Sequence, residues 1–380
     1  MNNGFYLTLM VGPMVPLPVG QDVIDALASV QVTVSSGATA ESGFQLTFNL
    51  GKRSPLETLF LVAGSSLPPI IRVVLIATVN GQAEVLIDGV VTRTDVASGS
   101  DSSTSTLTVT GTDLTAVMNW DLFNPIKNLP LPAMPNEVRV LLLLAKYALF
   151  GVIPMVIPSV LIDIPIPTDR IPRQQGSDLA YIRALAEEVG YVFYLKPGPV
   201  TGTSIAYWGP EIKVGVPQPA LNVDMDAETN VESLSFSYSG ENAALPIVYV
   251  QNQESKVIFV IPIPSITPLN PPLGLVPAIP KQFPEFRETA KYGPVRAALV
   301  GLAKAAQTAE VVSAQGNLDV LRYGRPLRAR ELVGVRGVGT AFDGLYYVKN
   351  VTHNIKRGEY KQSFNLARNG LISTVPRVPA

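Results

Sequence analysis

Val30-Gln31-Val32-Thr33-Val34 and Phe44-Gln45-Leu46-Thr47-Phe48 place every second apolar side chain on one face. Successive side chains of a strand point to opposite faces, so this period of two marks half-buried β-strands. Gly37 and Gly43 lie in the connection, and the two runs read as antiparallel neighbours. Outward from this pair, residues 70–79 form a longer run rich in β-branched residues, closed by the hairpin dipeptide Asn80-Gly81. Residues 84–87 lead into Asp88-Gly89, which reads as a second such turn, and Val90-Val91-Thr92 follows. Residues 107–110 alternate again after the Ser-rich stretch 98–105, expected to be an exposed hairpin tip. Residues 1–117 are thus expected to form a small antiparallel β domain, sandwich or barrel.

The pattern changes after Gly111. Asn136 is placed to cap a helix over 137–150, with Leu141, Leu144, Ala145 and Ala148 at helical spacing and Gly151 and Pro154 to stop it. A second helix has Ser177 as N-cap, the apolar stripe Leu179, Ile182, Leu185, Ala186 and Val189, and Gly190 where a terminating glycine belongs. Tyr191-Val192-Phe193-Tyr194-Leu195 then reads as a strand. Residues 118–221 are expected to be an α+β middle domain.

Strands return from about residue 222. Leu234-Ser235-Phe236-Ser237-Tyr238 alternates, and 247–251 and 256–260 read as strands. Seven prolines (Pro262, Pro264, Pro268, Pro271, Pro272, Pro277 and Pro280) favour an extended, polyproline-like insertion over ladder strands. An Ala-rich helix is expected over 295–312, with Pro294 suited to its first turn. Strands are expected at 318–321, 327–335, 346–355 and 359–366, with turns at Asp343-Gly344 and Arg357-Gly358. The fold class is mainly β with α+β insertions. A second β domain spans 222–371, with its Pro-rich and helical insertion at about 261–314, and 372–380 is expected to be a loose tail. No sequence repeat links the two β portions.

Composition narrows the function. The 380 residues carry 29 Lys plus Arg against 30 Asp plus Glu, a net charge of −1. That balance offers no basic excess for a phosphate backbone, so nucleic-acid recognition is not expected. There is no Cys, which removes disulfides, thiolate nucleophiles and Cys-ligated metals. Charged residues are 16% of the chain, below the usual value of about 25%. Part of the folded surface is therefore expected to be covered by partner chains. The N-terminus has no signal-peptide pattern. The most apolar stretch, 147–162, is interrupted by Pro154 and Pro158 and is shorter than the roughly 20 residues of a membrane helix, so no stable membrane insertion is expected.

Few residues offer chemistry. The one histidine, His353, shares a strand face with Val351 and Ile355 and reads as a structural residue. Glu187 and Glu188 are adjacent on a helix, point about 100° apart, and make a solvated face rather than a facing acid pair. Asp224 and Asp226 can share one side of a strand, with Glu228 nearby, but the EF-hand glycine and terminal glutamate are missing. Gly334, Gly337, Gly339 and Gly344 do not fit the dinucleotide fingerprint, and Lys52 lacks the upstream glycine of a phosphate loop. No catalytic, cofactor or metal residue is assigned.

Two segments carry a resemblance. One is Gly176-Ser177-Asp178-Leu179-Ala180-Tyr181-Ile182-Arg183-Ala184-Leu185-Ala186-Glu187-Glu188-Val189-Gly190, followed by its aromatic strand. The other is Asp343-Gly344-Leu345-Tyr346-Tyr347-Val348-Lys349-Asn350-Val351-Thr352-His353, continuing through Gly358-Glu359-Tyr360 to Phe364-Asn365-Leu366-Ala367-Arg368. In this order they resemble the central hub proteins of contractile tails, which include phage late control protein D and the hub portion of VgrG spikes. Val109-Thr110-Gly111-Thr112-Asp113-Leu114 fits as the exit from the first β domain. The Pro-rich stretch and residues 151–167 depart from the pattern.

The resemblance implies two tube-like antiparallel β-barrels per chain around the helix-containing middle domain, and a structural role for His353. It implies a homotrimer that matches a threefold spike to a sixfold inner tube, with other baseplate components as further partners. Assembly would take place in the producing cell's cytoplasm, into a phage tail or a phage-derived injection particle. VgrG continues into a needle, whereas little follows Arg368 here, so the spike is expected to be a separate chain. The other classes to weigh are a β-scaffold cell-wall hydrolase, which would rest on Glu187 or Asp224, and a carbohydrate- or receptor-binding module.

Overall fold

Alternation in the first portion yields six principal strands: β1 (Phe5–Gly12), β3 (Leu27–Ser35), β4 (Gly43–Leu50), β5 (Arg72–Val79), β6 (Gln82–Ser98) and β7 (Ser105–Asp113). A two-residue strand β2 (Leu17–Pro18) pairs with β1, and a short helix α1 (Gln21–Ala26) precedes β3. The computed structural model describes residues 4–37, 41–50, 56, 60, 70–98, 105–126, 128–159, 172–251, 257–263, 270–286, 297–302, 305 and 310–375. Val30, Val32, Phe44, Leu46 and Phe48 are all buried, as their period requires.

β6 runs through Asp88-Gly89 without turning, contrary to the hairpin reading of that dipeptide. A Cβ on Gly89 would lie 2.2 Å from the Thr112 carbonyl oxygen, so the glycine serves a close strand approach. Asp88 is buried against Arg72.

The middle portion contains α2 (Asn136–Ala145), β8 (Val152–Val156), α3 (Asp178–Glu188), β9 (Val192–Pro197) and β10 (Ser204–Gly209). α2 is preceded by Pro135 at the N-cap, and Asn136 is already helical, so it does not cap. Its buried face is Val140, Leu143, Leu144 and, beyond its end, Tyr147, while Leu141 is exposed. Of the expected stripe only Leu144 is buried, because four consecutive leucines leave the phase of the helix undetermined. α3 follows its reading. The Ser177 hydroxyl oxygen accepts the Ala180 N–H at 3.2 Å, the five stripe residues are buried, and Gly190 takes φ +73°. β8 lies parallel to β10, which pairs antiparallel with β9. Among the described residues no helix is long and apolar enough to cross a membrane.

The last portion contains β11 (Gln218–Asn222), β12 (Val231–Tyr238), β17 (Val312–Asp319), β18 (Leu332–Arg336), β19 (Gly344–Lys356) and β20 (Glu359–Arg368). Its insertion adds β13 (Ile247–Gln251), β14 (Ile258–Pro262), β15 (Gly274–Pro277) and β16 (Glu285–Phe286), and the chain continues past β20 into β21 (Gly370–Ser373).

Several expectations here give way. The Pro-rich region does contribute ladder strands: β14 pairs with β13, and β15 with β21. Pro262 and Pro277 sit at the ends of those ladders, where a missing N–H costs little. Pro264 and Pro268 lie outside the described residues. Residues 297–302 and 305 are helical, but Val312 already opens β17. The strand expected at 318–321 ends at Asp319, whose carboxylate accepts the Leu321 N–H and starts the short helix Val320–Tyr323. The strand expected from Leu327 begins at Leu332, because Leu327 and Arg328 give their N–H groups to Gln362 and Gln218 instead. Ile372 and Ser373 belong to β21 rather than to a loose tail. Residues 99–104, 160–171 and 376–380 are outside the described set, and with them the expected hairpin tip, part of the apolar stretch and the end of the tail.

If the six principal strands of each β portion are numbered in chain order, both sheets run two-three-six-five-four-one. Two of the irregularities coincide as well. The second strand slips between Leu27 and Ser29 in one portion and between Val231 and Ser233 in the other. The fifth slips between Val91 and Arg93, and between Val348 and Asn350. One pairing differs, since β1 is antiparallel to β5 whereas β11 is parallel to β18. The two portions are structural duplicates that the sequence does not reveal.

They are also joined. Beyond its contact with β18, β19 pairs antiparallel with β3, from Asn350↔Ser35 to Lys356↔Ser29. The result among the described residues is one thirteen-stranded sheet, and one core cluster runs through both portions, from Leu46 and Phe48 to Tyr346 and Tyr360. The middle portion has its own core around Leu144, Ile182, Leu185 and Trp208.

Candidate functional site

The closing hairpin brings most of its motif residues together. Arg368, at the end of β20, is buried and reaches back to the start of β19. It donates from Nε to the Gly370 carbonyl (2.7 Å), from Nη1 to that of Asp343 (2.8 Å) and from Nη2 to that of Ala341 (2.7 Å). Its guanidinium lies 4.5 Å from the centroid of the Tyr346 ring. Tyr346 donates its hydroxyl proton to the Phe342 carbonyl at 2.7 Å, and the Asp343 carboxylate accepts the Val338 N–H at 2.9 Å. Gly344 has φ +133°, and a Cβ there would meet Ser373 Oγ at 2.7 Å and Arg368 Nη1 at 2.9 Å. The spacing D-G-x-Y to Arg therefore describes a turn clamped by a guanidinium. Val351, farther along β19, is buried and pairs with Val34.

His353 is buried in the same strand, opposite Gln362 on β20 and Val32 on β3. The Tyr360 hydroxyl lies 2.7 Å from Nδ1 and Gln362 Nε2 lies 3.2 Å from the same atom; an amide nitrogen can only donate, so Nδ1 is the acceptor. Gln362 also donates to the Leu327 carbonyl and accepts the Leu327 N–H. Burial lowers the imidazole pKa to about 3, so at neutral pH the ring is uncharged and its Nδ1 lone pair is engaged. This is the environment of a structural acceptor rather than of a near-neutral base.

In the middle portion Asp178 is fully buried and gathers the domain around its carboxylate. The Tyr147 hydroxyl (2.7 Å) and Lys146 Nζ (2.5 Å) meet Oδ2, and Gln174 Nε2 (2.5 Å) donates to Oδ1. Leu179 and Leu185 are buried beneath it, and Glu187 lies on the exposed face.

Sequence reasoning missed the place where the three portions meet. Arg72 and Asp88 form a buried ion pair, and Arg72 Nη2 also donates to the Gly202 carbonyl of the middle portion. Arg330, with φ +68°, donates from Nε and Nη2 to the Ser35 carbonyl and from Nη1 to the Leu195 carbonyl. Its guanidinium lies 3.9 Å from the Tyr194 ring centroid. Burial raises the pKa of Asp113 nearby, partly offset by its hydrogen bonds to Thr115 and by the charge of Arg330. A cavity of about 550 Å³ lies at this junction, lined among others by Asp88, Asp113, Tyr194, Arg330 and His353. Only a folded chain assembles these groups. No local spacing announces them.

Asp224 and Asp226 do not share a strand face. Both have left-handed backbone in the connection between β11 and β12, at φ +48° and +50°. Among the described residues no group of three or more His, Cys, Asp or Glu is placed to hold a metal ion. Neither Asp224 nor Glu187 lines the junction cavity.

No protein-family model matches the sequence, and no curated protein matches it. The architecture does have counterparts among solved structures. The tail protein from Neisseria meningitidis MC58 superposes with a TM-score of 0.62 at 13% identity, over 97% of this chain and 98% of that one. The 43 kDa tail protein of prophage MuSo2 from Shewanella oneidensis gives 0.57 at 13% identity, over 96% and 98%. A chain of the Francisella PdpA-VgrG complex gives 0.60 at 8% identity, over 99% of this chain and 60% of that one. The chain thus has the fold of phage tail proteins and of a chain in a VgrG complex, as the two sequence motifs led one to expect.

Proposed function

We propose that this fold serves here as the central hub of a contractile phage tail or phage-derived injection system. The observation that carries the reading is the duplicated six-strand portion, read with the tail proteins that share the fold. Residues 1–117 and 222–371 supply two equivalent tube-facing units, and 118–221 form the middle domain between them. Three copies would present six such units in a ring, matching a threefold spike on one side to a sixfold inner tube on the other.

The work is mechanical. The hub templates the tube, holds a separate spike chain, and contacts other baseplate components. On sheath contraction tube, hub and spike travel together. Assembly takes place in the producing cell's cytoplasm, and no residue is given a catalytic role. The 16% charge content suits a chain whose surface is largely covered by permanent partners.

Co-expression with the tube and spike proteins of the same gene cluster tests this. The expected result is a co-purifying complex, seen by electron microscopy as a tube growing from a spike-bearing ring. Tubes that initiate equally well without the chain would contradict it.

A further inference from the structure

The cavity of about 550 Å³ at the junction is walled by unbroken runs of chain: residues 83–88 of β6, 194–199 along and past β9, and 327–331. Side chains of a strand alternate between its faces, so six successive residues of β6 line one space only through the strand's edge. That edge is open. β6 pairs with β5 from Gln82 to Val90, but with β7 only from Gly89 onward. β9 pairs with β10 alone. Among the described residues no backbone hydrogen bond joins the three walls to one another.

Alternation shows what the β9 edge offers. Gly198 donates to the Thr203 carbonyl across the hairpin, so Lys196 bonds toward β10 while Leu195 and Pro197 face outward. The Leu195 carbonyl accepts Arg330 Nη1 there, and its N–H, on the same side, meets no acceptor among the described residues. Two side chains that line the cavity also have a free polar atom. Asp113, 7% exposed, takes both the N–H and the hydroxyl of Thr115 on Oδ1, which leaves Oδ2 without a donor among the described residues. His353, 4% exposed, accepts on Nδ1, so its proton is on Nε2, which has no acceptor among the described residues. Buried polar groups are nearly always paired, so these call for an occupant that both donates and accepts.

We infer that the junction cavity binds an extended, uncharged peptide segment of about six residues, the length of the 83–88 edge, as an added strand. The volume is that of a ligand site. Wall charges are matched in sign, which leaves no field to select a charged segment: Glu84 lies 2.8 Å from Arg328, and Asp88 lies 2.6 Å from Arg72. Ile76, Leu86, Ile87 and Leu327 give the segment's side chains apolar surface. An occupant there touches all three portions of the chain at once.

The probe is a fluorescently labelled, capped hexapeptide of alternating valine and threonine, titrated with the full chain and read by polarisation. Saturable binding is expected. The same peptide with its two central residues replaced by proline loses two N–H groups and should bind at least about tenfold more weakly. Asp113→Asn keeps the oxygen that receives Thr115 but turns the free one into a donor, and should weaken binding about tenfold. Ala329→Phe, on the cavity wall, should abolish it. Thermal melting confirms that both variants fold. No saturable binding up to about 1 mM overturns the inference, as does equal binding by the proline peptide or by Ala329→Phe. Light scattering with and without peptide should show the same protein mass. A fall in mass on binding would show that a second copy fills the cavity, and would overturn it too. None of these outcomes bears on the hub reading.

Discussion

Arg72 and Asp88 form a two-pronged ion pair inside the protein, Nε to Oδ1 at 2.7 Å and Nη2 to Oδ2 at 2.6 Å, with both side chains almost wholly buried. Arg72 also donates to the Met14 and Gly202 carbonyls, and the Ser204 hydroxyl donates to Asp88. The pair therefore fastens the first β portion to the middle one. Asp88→Ala leaves a guanidinium buried without its counter-charge and should cost about 3–5 kcal/mol. Asp95→Ala breaks the exposed Arg93–Asp95 pair and should cost less than about 1 kcal/mol in the isolated chain. Urea unfolding of the two variants checks the contrast. Equal losses would show the buried pair to be misplaced.

The capped helix gives a second test. Leu185→Ala removes a fully packed side chain from α3 and should destabilise by about 2–5 kcal/mol. Leu141→Ala, on the exposed face of α2, should stay within about 0.5–1 kcal/mol. Denaturant midpoints decide it, and a larger loss at Leu141 would mean that the face of α2 is covered.

The clamp on the closing hairpin depends on the fork of a guanidinium. Arg368→Lys keeps the charge but cannot reach three carbonyl groups in that geometry, and should lose at least about 2 kcal/mol. Gly344→Ala should lose a comparable amount, because a side chain at φ +133° is strained and collides with Ser373 and Arg368. Thermal melting of both variants provides the readout, and a wild-type melting temperature in either would refute the clamp.

His353 makes the fold sensitive to acid. Its pKa falls from the ordinary 6.5 to about 3 on burial, so the unfolded chain binds the proton more readily than the folded one. The stability this contributes is complete above about pH 6.5 and is lost as pH falls toward 3, by up to about 1.4 kcal/mol per pH unit. His353→Gln cannot titrate there, so the drop in stability between pH 7 and pH 5 should be about 2 kcal/mol smaller in the variant. The same drop in both proteins would show that folding does not lower the pKa of His353. At pH 7 the variant should still assemble with tube and spike if it folds.

Much of this architecture was legible locally. Val30 to Val34 and Phe44 to Phe48 revealed their strands by period, and Ser177 to Gly190 revealed a whole helix, because cap, stripe and terminator are all near in sequence. Asp88-Gly89 misled because the same dipeptide serves a tight turn or a close strand approach, and only Arg72, sixteen positions away, decides between them. Arg330 gave no signal at all, since its partners Ser35 and Leu195 are brought in by other portions of the chain. The duplication was hidden for a related reason. Strand order and two bulge positions agree in geometry, while the residues at them differ, Thr92 in one portion and Lys349 in the other.

The central claim, that the chain builds a threefold ring from duplicated β portions, is tested most directly by its mass in solution. Sedimentation equilibrium of the purified chain at increasing concentration should converge on three times the 40.7 kDa of one chain. A single species at 40.7 kDa throughout, unchanged when the tube and spike proteins are added, would contradict it.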